Sequence, residues 1–330
     1  MKTTKLFRTD LVVSNICLGA ANFGSGLDEA QAFEILDSFA QSGGNFIDTA
    51  NVYGKWIPGA GNCSELLIGK WLKSRNACKT MVVATKGAHP LLDDMGTPRV
   101  NAGAINEDLA ESRQALRLDV IDFYWLHRDD EGQPIEAIID IMESFVAAGD
   151  IRYYGASNFK QHRMEAAWEY CQKRNIQGFS GVQNQWALAS PDPNAPKYGD
   201  PTMVQSDDAF YNWHVKTRMP AVPYSSTAAG FFHKIHQMNP QIDGEGNVLQ
   251  QEKERLAQKV HPDYLTPRNF VIYKKLANMS AEMNIDIHQL SLAYFFSLPF
   301  DAVPITGVRN LEQLRGMVEA NYVMLPEAIV

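Results

Sequence analysis

Short apolar, β-branched runs alternate along this chain with stretches in which apolar residues recur every three or four positions. The first run is Ile16 to Ala20. A helix follows, opened by Asp28 and Gln31 in a capping-box arrangement, with Ala30, Phe33, Leu36 and Phe39 on one face and Gly43 and Gly44 stopping it. Asn45, Phe46 and Ile47 lead a second strand to Asp48. A helix from Ser64 to Ser74 turns Leu67, Ile68, Trp71 and Leu72 inward. Met81 to Thr85 reads as the third strand, Ile105, Leu109 and Leu116 mark the third helix, and Val120 to Leu126 is the fourth strand. Pro134 opens the next helix, striped by Ile135, Ile138, Ile139, Met142 and Phe145 and ended by Gly149.

The second half keeps the rhythm. Strands are expected at Ile151 to Gly155, Phe179 to Gln183, Ala221 to Tyr224 and Ala302 to Ile305. Helices are expected at Met164 to Arg174, Val204 to Lys216, Phe270 to Met283, His288 to Ser297 and Leu311 to Ala320. Eight strand-like runs alternating with helices predict a (β/α)8 TIM barrel formed as one domain over residues 1–330. An open doubly wound sheet competes, but it normally carries G-x-G-x-x-G after an early strand, and Gly24–Ser25–Gly26 is the nearest approach here. Lys5 to Val13, turning at Thr9–Asp10, reads as a small N-terminal β-hairpin over the barrel floor. Trp56 to Asn62, Trp186 to Asp200 and Ser226 to Pro267 read as long loops at the C-terminal face, with a solvated helix at Gln251 to Lys259 inside the last.

Composition narrows the class. The 330 residues are 45% hydrophobic and 21% charged, with net charge −8 and no long basic run, which argues against nucleic acid or an anionic membrane surface as partner. The N-terminal stretch MKTTKLFRTD lacks the apolar core of a signal peptide, and no apolar run is long enough to span a bilayer. Cys17, Cys63, Cys78 and Cys171 are scattered without a CxxC pair and read as reduced thiols of a cytoplasmic protein.

The residues leaving the strands carry the candidate chemistry. The second strand delivers Asp48, with Tyr53 five residues on, the third delivers Lys86, and the fourth delivers His127. In a barrel all four converge on one face. A lysine at the end of an apolar strand needs a partner, and Asp48 is the natural one. Two readings remain open on these residues alone. One is a structural ion pair beside a satisfied core histidine. The other is a catalytic cluster.

In DTANVYG at 48–54, ATKG at 84–87, WLH at 125–127, GASN at 155–158 and PITG at 304–307, the chain resembles the aldo-keto reductase family, in order and over nearly its whole length. The resemblance implies NAD(P)H-dependent carbonyl reduction without metal or flavin, and a tetrad of Asp48, Tyr53, Lys86 and His127. The nicotinamide supplies the hydride, so the protein must place it and protonate the oxygen. A free phenol titrates near about 10, too high for neutral pH. Lys86, held cationic by Asp48, favours the phenolate, and His127 orients the carbonyl. The resemblance also implies that Ser157, Asn158 and Gln183 contact the carboxamide and Ser225 the pyrophosphate. It assigns the adenosine side to Thr306, Gly307, Arg309 and Gln313. Arg309 suits a 2′-phosphate and points to NADPH, with NADH less expected. The family often continues with two polar residues where this chain has Gly316 and Met317, which puts adenine contacts in doubt.

Around the expected pocket stand Trp56, His89, Trp125 and Arg128, a set of aromatic and charged groups that could suit a sugar-like carbonyl. Some members of the family instead serve as regulatory subunits of membrane channels, binding cofactor with little turnover. The N-terminus here, with its first strand within 20 residues, lacks the extension such a role uses. A small-molecule carbonyl substrate and a monomer or small homo-oligomer are the expected partners.

Overall fold

The structure, a computed structural model, describes residues 1–194, 200 and 202–325. Strands β1 (Thr3–Lys5) and β2 (Val12–Ser14) pair antiparallel, with Thr3 opposite Ser14 and Lys5 opposite Val12. Then come β3 (Cys17–Gly19), β4 (Phe46–Asp48), β5 (Val82–Gly87), β6 (Ile121–Leu126), β7 (Ile151–Ser157), β8 (Val182–Gln183) and β9 (Ile305–Thr306). These seven lie parallel in the order β8-β7-β6-β5-β4-β3-β9.

Residues 221–224 close the gap between β8 and β9. The Val222 amide donates to Val182 O at 2.8 Å on one side, and the Val303 and Ile305 amides donate to Ala221 O and Pro223 O at 2.8 Å on the other. The expected seventh strand is therefore present as a stave of the barrel without a continuous ladder. Pro220 and Pro223 supply no N–H, and Pro304 does the same within the eighth, so both staves bond discontinuously.

Helices α1 (Glu29–Gln41), α2 (Cys63–Arg75), α3 (Ala102–Leu116), α4 (Ile135–Ala148), α5 (Gln161–Arg174) and α6 (Asp208–Thr217) follow the strands. After them come α7 (Phe231–Met238), α8 (Gln250–Ala257), α9 (Pro267–Met283), α10 (Ile287–Phe296) and α11 (Leu311–Ala320). The Asp28–Gln31 capping box closes reciprocally at 2.9 and 3.1 Å. The buried face of α1 is Ala32, Ile35, Leu36 and Phe39. Ala30 is exposed and Phe33 only half-buried, so the expected stripe is rotated toward solvent at its first turn. In α4 the stripe from Ile135 to Phe145 is buried as expected, and Gly149 ends it at φ 78°, where a side chain would be strained.

The segment from Ser226 to Pro267 is more than a loop. It holds α7 and α8, whose Phe231, Phe232, Ile235 and Leu256 join Phe270 and Leu290 in a core of their own. The segment from Trp186 to Asp200 falls partly outside the described residues. Inside the barrel, Phe46, Phe123, Trp125, Val222 and Val303 meet Leu6, Leu11 and Val13 from the hairpin, so β1 and β2 plug the floor. Among the described residues no helix is long and apolar enough to cross a membrane.

Candidate active site

The alternation of the parallel strands decides what reaches the open mouth. Asp48 is the last residue of β4, and its carbonyl accepts from Ala20 N at 2.9 Å. Lys86 is inward on β5, and the next strand over places His127 one residue past its end, pinned by its amide on Gly87 O at 2.9 Å. The Asn51 amide donates to Lys86 O at 2.9 Å, which ties the loop carrying Tyr53 to the lysine strand.

Lys86 is only 1% exposed, and its ammonium has three partners. It pairs with Asp48 Oδ2 and donates to Thr49 O at 2.7 Å and to the Tyr53 hydroxyl at 3.2 Å. Gln183 Nε2 donates to the other Asp48 oxygen at 2.9 Å. Burial works against the Lys86 charge, but the facing Asp48 and Tyr53 outweigh it and hold its pKa above the ordinary lysine value. Burial raises Asp48, and Lys86 and Gln183 offset part of that rise.

His127 is held well below the usual imidazole range by burial and by the cations of Arg128 and Lys86, so it is neutral near pH 7. Its ring lies 6.0 Å from that of Tyr53 and 4.7 Å from that of His89, both edge to face. Its Nδ1 is buried, and no partner reaches it among the described residues.

These groups face a cavity of about 570 Å³ that runs from Gly19–Asn22 and Thr306–Gly307 across to Tyr53 and Trp56. A second concavity of about 600 Å³ lies at the hairpin end, among Phe7, Arg218, Phe296 and Phe300, and none of the strand-end groups reaches it. The chemistry therefore marks the first as the candidate site. Among the described residues, no group of three or more His, Cys, Asp or Glu side chains is placed to hold a metal.

The other sequence candidates divide. Ser157, Gln183, Ser225, Thr306 and Gly307 line the cavity, and so do Trp56, His89 and Arg128. Asn158 lines it too, but its side chain is fully engaged. Nδ2 donates to His127 O and Ser157 Oγ, both at 3.1 Å, and Oδ1 accepts from Val204 N at 3.0 Å and the Tyr224 hydroxyl at 2.7 Å. Arg128 is locked by Asp200 at 2.6 Å and Thr202 at 2.8 Å, and donates to His127 O at 2.8 Å.

Arg309 and Gln313 lie outside this cavity, exposed at the start of α11. Gln313 Oε1 accepts from Arg309 N at 2.9 Å, and no acceptor meets the Arg309 guanidinium among the described residues. Met317 is buried in the core, and Gly316 faces open space.

Trp125 does not reach the mouth. It is the inward residue of β6 two positions before His127, so it fills the layer beneath, its ring 4.4 Å from Phe123. Tyr224 was not singled out, although it ends the seventh stave and lines the cavity. The strand-end rule that selected Asp48 and Lys86 applies equally to it.

Residues 15–329 match the Aldo/keto reductase family. The chain belongs to that family. Similar curated proteins include an uncharacterized oxidoreductase of Bacillus subtilis, 28% identical, with 100% of this chain and 94% of the relative covered. A norsolorinic acid reductase of Dothistroma septosporum is 28% identical over 96% of this chain and 76% of its own. A probable aryl-alcohol dehydrogenase of Saccharomyces cerevisiae is 27% identical over 92% and 87%. An aldo-keto reductase of Bacillus halodurans, solved in its holo form, superposes with a TM-score of 0.70 at 22% identity over 99% of this chain and 93% of that one. The likeness confirms the barrel. As an aldo/keto reductase, the protein is a nicotinamide-dependent oxidoreductase acting on small-molecule carbonyl compounds.

Proposed function

We propose that this aldo/keto reductase reduces an aldehyde or ketone to the alcohol with NADPH, reversibly, with Tyr53 as general acid. The observation that carries the reading is the buried Lys86 ammonium, paired with Asp48 and 3.2 Å from the hydroxyl of Tyr53, which lines the same mouth as His127.

The donor set fits a nicotinamide cofactor. Gln183 is oriented by Asp48, and among the described residues no donor reaches its Oε1, which leaves it for a carboxamide N–H. Ser157 stands beside it in the wall. Asn158, whose groups are all taken, frames the site by holding Tyr224 and His127 rather than binding directly. Ser225 sits at φ 53° where the chain leaves the seventh stave, and with Thr306 and Gly307 it supports a pyrophosphate path along that side. Arg309, whose guanidinium meets no acceptor among the described residues, favours a 2′-phosphate, hence NADPH over NADH. The bound cofactor supplies the hydride.

The chain's own residues supply the proton and the geometry. With no acceptor at Nδ1 among the described residues, the proton of neutral His127 belongs on Nε2, where it can donate to a carbonyl oxygen and hold it beside Tyr53. The Tyr53 hydroxyl gives its proton to that oxygen as negative charge develops there, and the Lys86 hydrogen bond stabilises the phenolate left behind. Asp48 keeps Lys86 charged and fixed. Solvent restores the tyrosine proton, and oxidation of the alcohol follows the same path in reverse.

The outer mouth bears Trp56, Leu92 and Met203 beside His89. Flat apolar walls, together with relatives named for aryl alcohols and norsolorinic acid, support an aryl carbonyl over a sugar-like one. The test is a steady-state panel of benzaldehydes and keto sugars with NADPH and with NADH. Turnover of the benzaldehydes with NADPH is expected. Preference for the sugars overturns the substrate class, and cofactor binding without turnover of any carbonyl favours a sensor.

A further inference from the structure

His89 enters the cavity on the loop after β5, and its protonation is settled by its neighbours. Its Nδ1 lies 2.7 Å from Pro90 O. A carbonyl oxygen can only accept, so Nδ1 carries the hydrogen. Burial, together with the Arg128 cation, holds the ring below the ordinary imidazole range, so it is neutral near pH 7. The other nitrogen, Nε2, then has a bare lone pair. No protein donor meets it among the described residues, and it is not among the buried unsatisfied atoms, so it opens onto free space. A smaller cavity of about 200 Å³ continues behind the ring toward Asn51, Lys55 and Arg99, so His89 forms a wall between two spaces.

His127 stands 4.7 Å away, ring centre to ring centre. The two histidines thus differ in kind. One offers N–H to the cavity and the other offers a lone pair. A substrate whose carbonyl oxygen takes the N–H of His127 brings its neighbouring substituent toward His89. A bare acceptor beside an otherwise apolar, aromatic wall is left without a partner unless the ligand brings a donor.

We propose that His89 is a specificity-determining residue that selects aryl carbonyl substrates carrying a hydroxyl ortho to the carbonyl group. The carbonyl oxygen lies on the His127 side, and the ortho hydroxyl donates to His89 Nε2. This rests on the reading of the mouth given above, in which His127 holds the carbonyl. A site built to pair a hydroxyl discriminates against the analogue that lacks it, because its own polar group is then stranded.

The experiment compares 2-hydroxybenzaldehyde with 4-hydroxybenzaldehyde in the unaltered enzyme and in His89 variants, so that the internal hydrogen bond of the ortho isomer, present in every case, cancels from the change in their ratio. For the unaltered enzyme with NADPH, kcat/KM for the ortho isomer is expected to exceed that for the para isomer by about tenfold or more, the weight of one hydrogen bond. His89→Leu should lower that ratio by about tenfold. His89→Gln, which keeps an acceptor, should retain part of it. Equal rates for the two isomers in the unaltered enzyme overturn the proposal while leaving the reductase reading intact. A ratio unchanged by His89→Leu also overturns it. No turnover of any benzaldehyde removes both readings together, so the two failures are told apart.

Discussion

Lys86 and Tyr53 meet at 3.2 Å, and the same ammonium is clamped from behind by Asp48. The three residues come from the end of β4, from the loop after it and from β5, so the contact exists only once the parallel pairing of β4 with β5 is made. Replacing Tyr53 by Phe keeps the ring and removes the proton. The variant is expected to lose roughly a hundred- to ten-thousandfold in kcat, the usual share of a general acid. NADPH titration by tryptophan fluorescence should show affinity nearly unchanged. Turnover within tenfold of the parent rules Tyr53 out as the acid.

The Asp48–Lys86 pair is buried, so breaking it is expected to cost more than the pair itself contributes. Lys86→Met strands a carboxylate and should cost about 3–5 kcal/mol in urea unfolding. Adding Asp48→Asn to that variant should recover much of the loss, since no buried charge is then left alone. A double variant no more stable than the single one contradicts this account.

Arg309→Leu separates the two cofactors. Losing a charge-assisted phosphate contact should raise the NADPH Kd by about tenfold or more and leave the NADH Kd nearly as it was. Parallel weakening of both would place Arg309 away from the 2′-phosphate.

A pH effect on stability is expected from Glu65, away from the reacting groups. Its carboxyl is buried under β5, accepting from Thr85 Oγ1 and from Asn62 Nδ2 at 2.7 Å, and burial pushes it from 4.5 up to about 7. Because the folded value is raised, the stabilisation is fully present below the unfolded value. Between about 4.5 and 7 the unfolded chain gives up its proton first, so stability falls as pH rises, by on the order of 3 kcal/mol in all. Glu65→Gln should flatten that slope in denaturant unfolding across the same window. An unchanged slope would assign it to other groups.

Gly316 lies inside α11, and a Cβ built there meets nothing within 4 Å. Gly316→Ala should therefore stabilise the protein by about 0.5–1 kcal/mol through reduced freedom of the unfolded chain. A fall in thermal midpoint would mean that the glycine is needed for something the open space does not reveal.

The strand-end rule made much of the site legible. Asp48, Lys86 and His127 each follow an apolar run, and parallel strands deliver such residues to one face. Trp125, expected around the pocket on other grounds, lies in the inward layer below His127, because a strand alternates inward and outward. Tyr224 was passed over, although the strand expected at Ala221 to Tyr224 ends on that residue and the same rule delivers it to the mouth. The engagement of Asn158 could not be read at all. Two of its four partners, Val204 and Tyr224, are remote in the chain and become neighbours only in the closed barrel. Of the two helices within 226–267, α8 was expected at Gln251 to Lys259, while α7 was missed, because it is only eight residues long and its apolar face is buried against α9 and α10, which follow later in the chain.

The hairpin plug has a consequence for synthesis. Leu6, Leu11 and Val13 find their cover partly on Val222, Val303 and Ile305, and the Lys2 amide donates to Asn321 Oδ1 at 2.6 Å. A growing chain carries that apolar hairpin long before β9 and α11 are made, and meets those partners only when they leave the ribosome. Until then the barrel floor stays unsealed. An unfinished chain is therefore exposed to premature sticking and to chaperone capture through that hairpin, however well its middle strands have already paired.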